Sequence, residues 1–301
     1  MKYILFIIST LSLVYAGARN DSVYMSPRAQ AMGSALTAEA DSADAAYFNP
    51  AALVWFKGYE LNGGYQTMFS SDDFPSDSRL STIYSALSAR PWSGKAGAFG
   101  AYFINDRSPV LKEYKIGISY GYQVLEFMAV GATFDMDFIK TDTPAATAAV
   151  LDSVVKNGYS SFTPNANLAL SLKFSQSLLC GFNIKNIIPV KINSRTGMYD
   201  LTVAAGIAYS LKKIAFLEVV KLNADIIYIA GTVQPKLGFE GAVPGGLVAL
   251  RLGFQPASML SAGLGVRIKM GPFERITVNY GLGYHYQLGE LSHKFGLSLW
   301  L

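Results

Sequence analysis

The sequence has few of the residues on which enzymes and soluble domains usually depend. Charged residues make up 15% of its 301 positions, whereas soluble domains carry roughly a quarter. Its single cysteine, Cys180, excludes an internal disulfide, and the two histidines, His285 and His293, have no zinc-site spacing. The formal net charge of +4 includes no basic cluster, so nothing indicates nucleic-acid binding. We therefore expect no enzyme, no cofactor and no metal site.

Long apolar runs are also missing beyond the first residues of the chain. A membrane-spanning helix needs roughly 18 or more apolar residues in succession. The richest stretch, residues 214–230, is interrupted by Glu218, Lys221, Asn223 and Asp225. Hydrophobic residues nevertheless reach 51%, aromatics 13%, and there are 28 glycines. This composition favours membrane-spanning strands; a large soluble β-sandwich is the alternative.

The first residues have the character of a secretory leader. A basic start at Met1-Lys2 precedes an apolar segment, residues 3–14, that is too short to span a bilayer. Small residues predict cleavage after Ala16, with Ala18 as the alternative. Residues 1–16 are therefore predicted to be a signal peptide.

From residue 58 to residue 301, apolar residues alternate with polar residues or glycine at period two. In the last third, Leu250 and Leu252 share one face, and Arg251 lies on the other. A charge facing lipid costs roughly 2–4 kcal/mol at the midplane, so the charged face is assigned to the lumen.

This alternation predicts an all-β fold, a transmembrane antiparallel up-and-down barrel of about 14 strands. Twelve strands is the alternative, because strand boundaries read from a sequence shift by roughly 2–4 residues. The predicted strands span residues 60–69, 80–90, 95–105, 112–123, 125–140, 161–176, 177–187, 198–212, 213–231, 234–243, 245–255, 258–270, 272–286 and 291–301.

The segment between leader and barrel, residues 17–57, is rich in alanine and lacks period two. Residues 37–47 contain good helix formers, and Asn49-Pro50-Ala51 ends the run because a residue before proline avoids the helical region. A segment of this size cannot bury itself alone. We predict a short helical plug, or hatch, inside the lumen; a periplasmic tail is the alternative.

Two inserts interrupt the predicted barrel. Residues 70–79 (SSDDFPSDSR) are polar and acidic and predict an exposed loop. Residues 143–158 predict a short helix, with Pro144 in its first turn and Gly158 just past its end. Such a helix could cover a mouth of the barrel or touch a partner.

Two sequence motifs in the plug segment carry a family resemblance. They are RAQAMG at residues 28–33 and DSADAAYFNPAAL at residues 41–53. With further segments at residues 182–187, 237–240, 249–254 and 288–299, they make the chain resemble the FadL superfamily of outer-membrane barrels, and most closely PorV/PorQ family proteins. Departures from the pattern are Ser34, Ser42 and Ala52, and a terminal Leu301 where an aromatic residue is usual.

The resemblance implies a 14-stranded barrel in the bacterial outer membrane, with a hatch that contains the Asn49-Pro50-Ala51 turn. Transporter members take up long-chain fatty acids or other hydrophobic compounds and release them sideways into the membrane. Other members are accessories of type IX secretion that hold or shuttle exported cargo. The implied partners are therefore membrane lipid with either a hydrophobic ligand or secretion-system proteins.

Two sets of residues are candidate functional sites. Asn49, Pro50 and Ala51 either anchor the hatch or simply stop the chain between helix and first strand. Arg251, Arg267 and Lys269 either attract a carboxylate head group in the lumen or neutralise buried acids, and we favour neutralisation because buried charges need partners. The acids in question are Glu39, Asp41 and Asp44 on the plug and Asp225 and Glu240 on the wall.

Overall fold

The computed structural model describes residues 26–39, 41–68, 80–90, 97–107, 111–141, 159–188, 190–193, 196–270, 273–286 and 289–301. Within these residues, fourteen antiparallel strands form a closed barrel. Each strand pairs with its neighbours along the chain, and the first strand pairs with the last. The predicted up-and-down barrel is confirmed, with 14 strands rather than 12.

Every predicted strand overlaps an observed one, and only a short separate hairpin was missed. The hairpin consists of β8 (Val190–Asn193) and β9 (Thr196–Tyr199), which are too short for an alternating pattern to be recognised. The barrel strands are β1 (Gly58–Met68), β2 (Leu80–Arg90), β3 (Ala98–Arg107), β4 (Leu111–Leu125), β5 (Met128–Thr141), β6 (Tyr159–Lys173), β7 (Leu178–Lys185), β10 (Thr202–Ile214), β11 (Leu217–Ile229), β12 (Thr232–Ala242), β13 (Val248–Gln255), β14 (Met259–Met270), β15 (Phe273–His285) and β16 (Glu290–Trp300).

The two faces of the barrel wall differ in polarity as the alternation predicts. Leu250 and Leu252 are exposed on the outer face, whereas Arg251 between them is buried at 3% exposure. The outer face is covered with exposed Leu, Ile, Val, Phe and Tyr side chains, and buried Asn, Ser, Thr and charged residues lie inside. An apolar exterior around a polar interior is the pattern of barrels that span membranes.

The connections differ in length between the two ends of the barrel. The three longest, residues 69–79, 142–158 and 186–201, follow β1, β5 and β7 and therefore belong to the same end, which we call the long-loop end. The opposite end, where β1 begins and β16 finishes, is the short-turn end. The predicted leader, the polar loop and the helix at residues 143–158 lie outside the described residues.

The described residues before β1, 26–39 and 41–56, occupy the barrel interior and form the predicted plug. It contains the helices Pro27–Ala31 and Ala45–Phe48 and the 3-10 helix Pro50–Trp55. The first helix contacts β13 to β16, and the 3-10 helix contacts β2 to β6, so the plug reaches opposite sides of the wall. Many of its residues have no solvent exposure at all, including Ala29, Ala46, Ala51 and Leu53. No described helix has the length and apolar character needed to cross a membrane.

The helix predicted over residues 37–47 is largely replaced by irregular chain. The wall, rather than a helix ladder, satisfies this backbone: Asp225 accepts a hydrogen bond from the Thr37 amide (2.9 Å), and Glu60 accepts one from the Ala43 amide (2.6 Å). Side-chain partners of this kind compete with helical hydrogen bonds, so helix propensity alone does not decide the conformation.

Inward-facing glycines let the plug backbone lie directly against the wall. A Cβ atom at Gly238 would lie 2.7 Å from the Met32 carbonyl oxygen, and one at Gly100 would lie 2.7 Å from Ala46 Cβ. Both distances are below those of real carbon contacts, so any side chain there would push the plug away. Plug and wall are therefore packed without a gap at these positions.

Candidate functional site: the plugged lumen

A buried arginine on the plug forms the centre of a charged plug–wall contact. Arg28 donates to Glu240 on β12 through Nε (2.9 Å) and Nη2 (3.2 Å). Arg251 on β13 donates through Nε to the same carboxylate (2.6 Å). Glu240 is thus shared by one guanidinium from the plug and one from the wall, and its side chain is 3% exposed.

The network continues to the other plug acids. Arg28 also pairs with Asp41 (3.1 Å), and Lys221 on β11 pairs with Asp41 and with Glu39 (3.3 Å). Lys221 lies directly opposite Glu240 in the strand register, and Glu240 lies opposite Arg251. Three cations therefore meet three carboxylates along a cross-strand ladder, so the formal charges of this plug–wall contact, called the charge network below, balance.

The plug members of the charge network have shifted pKa values. Burial alone would lower the pKa of Arg28, but Asp41, Glu240 and Glu39 outweigh it and raise that pKa well above its usual value. Burial would likewise raise the pKa of Asp41, yet the charges of Arg28 and Lys221 hold it well below its usual value. Arg28 and Asp41 are therefore both ionised at neutral pH, and their attraction acts under physiological conditions.

Acidification should release this part of the network. A carboxyl whose folded-state pKa is depressed stabilises the protein above its unfolded pKa, and that stability is lost as pH falls through the folded value. Because the pKa of Asp41 is lowered, its carboxylate is ionised at neutral pH and favours plug docking. Docking weakens only in strong acid, where this carboxylate becomes protonated.

A second anchor surrounds the predicted Asn49-Pro50-Ala51 turn. Asn49 is completely buried; its Oδ1 accepts from the Ala51 amide (3.1 Å), which caps the 3-10 helix. Its Nδ2 donates to the carbonyl oxygens of Thr37 (2.7 Å) and of Leu170 on β6 (3.2 Å). One amide side chain thus joins two parts of the plug to the wall.

Replacing Asn49 with alanine is expected to loosen the plug. The change leaves a buried amide and two carbonyls without their partner, at a cost of about 1–3 kcal/mol. Digestion of vesicle-embedded protein should then cut within residues 26–56 faster than in the parent. Asn49→Asp keeps the cap acceptor but sets a buried carboxylate against the Thr37 and Leu170 carbonyl oxygens, so its effect should be at least as large. Equal digestion of Asn49→Ala and parent would contradict the anchor.

Of the cations proposed as ligand contacts, the structure pairs only Arg251 with an acid. Arg267 and Lys269 on β14 form no ion pair with any side chain that the structure describes. Asp44 binds neutral donors instead, accepting from Ser26 Oγ (2.6 Å) and the Tyr84 hydroxyl (2.6 Å).

Two cations of the charge network, Arg28 and Lys221, were not predicted from the sequence. Lys221 could have been found, because it shares the inward face of β11 with Asn223 and Asp225. Arg28 lies in the RAQAMG motif, but no neighbouring residue in the sequence indicates that its partner is Glu240, which is 212 residues away.

The histidines do not form a catalytic centre. His285 Nε2 lies 2.9 Å from Ser292 Oγ, and His293 Nδ1 lies 2.8 Å from the Tyr280 hydroxyl. Ser292 has no solvent exposure, and Gln30 of the plug donates to its hydroxyl, so a substrate has no access to it. Nor do the described residues contain a group of three metal-ligating side chains.

An apolar groove of about 490 Å³ lies on the outer face of the wall. Gly238 and Gly253 form part of its lining, and the plug residues Met32 and Gly33 lie directly behind them. Only backbone separates the groove from the plug at this point. The remaining lining comes mainly from outward-facing apolar side chains, including Ile207, Leu222, Leu237, Leu252 and Leu260.

Comparison with known proteins identifies the fold. No protein-family model matches the chain, and no curated protein matches its sequence. Among solved structures, the CymD monoaromatic hydrocarbon channel has a TM-score of 0.63 at 14% identity, covering 93% of this chain and 97% of its own. The toluene transporter TbuX of Ralstonia pickettii has a TM-score of 0.65 at 12% identity, and the match covers 93% of this chain and 99% of the transporter. A FadL homologue of Pseudomonas aeruginosa has a TM-score of 0.56 at 11% identity, and the match covers 94% of this chain and 99% of the homologue. The chain therefore has the fold of these barrels over nearly its whole length.

Proposed function

We propose that this protein is a non-enzymatic channel that passes hydrophobic, fatty-acid-like small molecules across the bacterial outer membrane. The observation that carries the proposal is a lumen filled by the chain's own plug, which is held by hydrogen bonds and ion pairs. Polar contacts of this kind can break and re-form, whereas a wall of paired strands cannot open without losing its ladder hydrogen bonds. Passage therefore requires the plug to shift.

The ends of the barrel set its orientation in this proposal. Outer-membrane barrels have short periplasmic turns and longer extracellular loops. The short-turn end, where the plug joins β1 and where Leu301 lies, then faces the periplasm. The long-loop end faces the outside of the cell. Such a location agrees with removal of residues 1–16 during export.

The class of ligand is supported by the fold and by the wall. Solved barrels of the same fold are described as channels for monoaromatic hydrocarbons or toluene. The groove beside Gly238 and Gly253 offers an apolar surface where a ligand leaving the lumen would meet lipid. A shift of Met32 and Gly33 away from these glycines would unblock that side of the lumen.

Uptake into vesicles tests the proposal. Purified protein reconstituted into lipid vesicles is expected to admit labelled toluene or dodecanol to a trapped hydrophobic acceptor faster than empty vesicles do. Vesicles holding an unrelated outer-membrane barrel of similar size control for leakage around inserted protein. Uptake no faster than in either control would refute the channel.

The accessory role in type IX secretion remains a prediction from the resemblance alone. Its proposed docking surface, the helix at residues 143–158, lies outside the described residues. Co-purification with secretion components from membranes is its test.

A further inference from the structure

Three cations form a row across the outer face of the barrel at the long-loop end. Arg107 on β3 lies directly opposite Lys112 on β4, and Lys112 lies directly opposite Lys140 on β5. Arg107 and Lys140 are exposed, and Lys112 is partly exposed. The adjacent residues Asp106 and Glu113 are buried on the lumen side, because successive residues of a strand face opposite sides. This row of Arg107, Lys112 and Lys140, called the basic row below, is therefore directed at the membrane.

The basic row occupies one sector of the barrel. Ser81 and Ser160 continue it on β2 and β6, and neither is charged. At the same end of β11, β12 and β16 the outward-facing residues are Tyr228, Val233 and Leu291, which are exposed and also uncharged. Like charges placed directly opposite each other destabilise a strand pair, so this sector favours anionic neighbours.

The position of the basic row along the strands marks the edge of the hydrocarbon layer. A cation on the lipid face costs roughly 2–4 kcal/mol at the midplane but only about 0–1 kcal/mol near the interface. Two residues further into the membrane, a distance of about 7 Å, the wall carries Tyr114, Phe138 and Phe162 side by side. The rings of Phe138 and Phe162 are exposed and contact each other, with 4.9 Å between their centroids. Cations above an aromatic surface fit a lipid whose anionic head group lies above its acyl chains.

The length of the basic row favours a head group with more than one phosphate. Residues directly opposite each other in antiparallel strands have Cα atoms about 4.5–5.5 Å apart, so the row spans about 10 Å from Arg107 to Lys140. One phosphate satisfies one end of such a row, whereas two separated phosphates engage both ends. Arg107 Nε donates to Asn105 Oδ1 (3.2 Å), which helps to position the guanidinium. A guanidinium has five N–H donors and an ammonium three, so contacts with the protein leave donors for phosphate oxygens.

We propose that the basic row binds the phosphates of a bisphosphorylated glycolipid in the outer leaflet, whose acyl chains lie against Phe138 and Phe162. The lipid is a resident neighbour of the outer wall and not a transported molecule, so the inference goes beyond the proposed function. It takes from that function only the orientation, in which the long-loop end faces the outside of the cell.

Native mass spectrometry of the purified protein in non-ionic detergent, titrated with bisphosphorylated lipid A, tests the site. The parent should retain the lipid, and R107Q/K112Q/K140Q should bind it at least about tenfold more weakly, the loss expected for one charge-assisted hydrogen bond. The three side chains lie outside the lumen and the plug, so the variant should keep the circular dichroism spectrum of the parent.

The matched control is K57Q/K212Q/K213Q, which removes three exposed lysines from the short-turn end. Its affinity for lipid A should stay within about twofold of the parent, since distant exposed charges are screened. Equal binding by R107Q/K112Q/K140Q and the parent, or an equal loss in the control, would overturn the site.

Two further measurements define the lipid and separate this site from the channel. Monophosphorylated lipid A and phosphatidylglycerol should each bind the parent at least about threefold more weakly than the bisphosphorylated lipid; equal affinities would overturn the assignment to a head group with two phosphates. Toluene uptake by R107Q/K112Q/K140Q vesicles should match the parent, because the basic row lies outside the lumen. Absence of uptake in the parent would remove the channel proposal, while the lipid titrations would still decide the glycolipid site.

Discussion

Replacing Glu240 with alanine is expected to lower the free energy of unfolding by about 3–5 kcal/mol, the usual cost of removing one partner of a buried ion pair. Glu240 accepts from both Arg28 and Arg251, and all three side chains are buried. Its loss leaves Arg251 with only the Asn279 amide oxygen (2.9 Å) and detaches the plug helix from β12. Urea unfolding in lipid vesicles, followed by tryptophan fluorescence, measures the change.

Two companion variants separate this effect from a general loss of charge. Glu218→Ala removes an exposed carboxylate from neighbouring β11 and should change stability by no more than about 0.5 kcal/mol. Glu240→Ala combined with Arg251→Ala should cost less than the sum of the single changes, because it removes a buried charge together with its partner. A fully additive double variant would show that the pair does not act as a unit.

The barrel could be predicted from the sequence because its physical rule is local. Leu250, Arg251 and Leu252 need only their alternation and the cost of a charge in lipid to be assigned to their faces, and the same rule applies along every strand. The hairpin β8–β9 was missed since four-residue strands carry too few alternations.

The plug was predictable in kind but not in conformation. Its position before the barrel and its lack of period two indicated a separate element. Its helices could not be delimited, because Asp225, Glu60 and Asn223 on the wall bind plug backbone that would otherwise form helical hydrogen bonds. Such partners are defined only once the barrel has closed.

The charged residues also differ in how far the sequence could predict their partners. Glu240 was one of the acids that the sequence offered as a partner for Arg251, and the structure brings the two together. For Arg267 and Lys269 the sequence likewise offered a ligand head group or a buried acid, and the structure shows neither cation paired with an acid whose side chain it describes.

A reversible disulfide between plug and wall tests the central claim, that the plug must move for a ligand to pass. Asp44 on the plug and Asn62 on β1 suit it, because Asn62 Nδ2 lies 3.1 Å from Asp44 Oδ1, so cysteines at these two positions can be joined through disulfides by a short bis-thiosulfonate linker. Asp44→Cys and Asn62→Cys are introduced together with Cys180→Ala, so that no other thiol is present. The reduced form of the same molecule is the matched control.

Toluene uptake into vesicles is then measured on the oxidised protein before and after addition of a reductant. We predict that uptake falls to the rate of empty vesicles when the disulfide is closed and returns when it is reduced. Equal uptake by the oxidised and reduced forms would contradict the account.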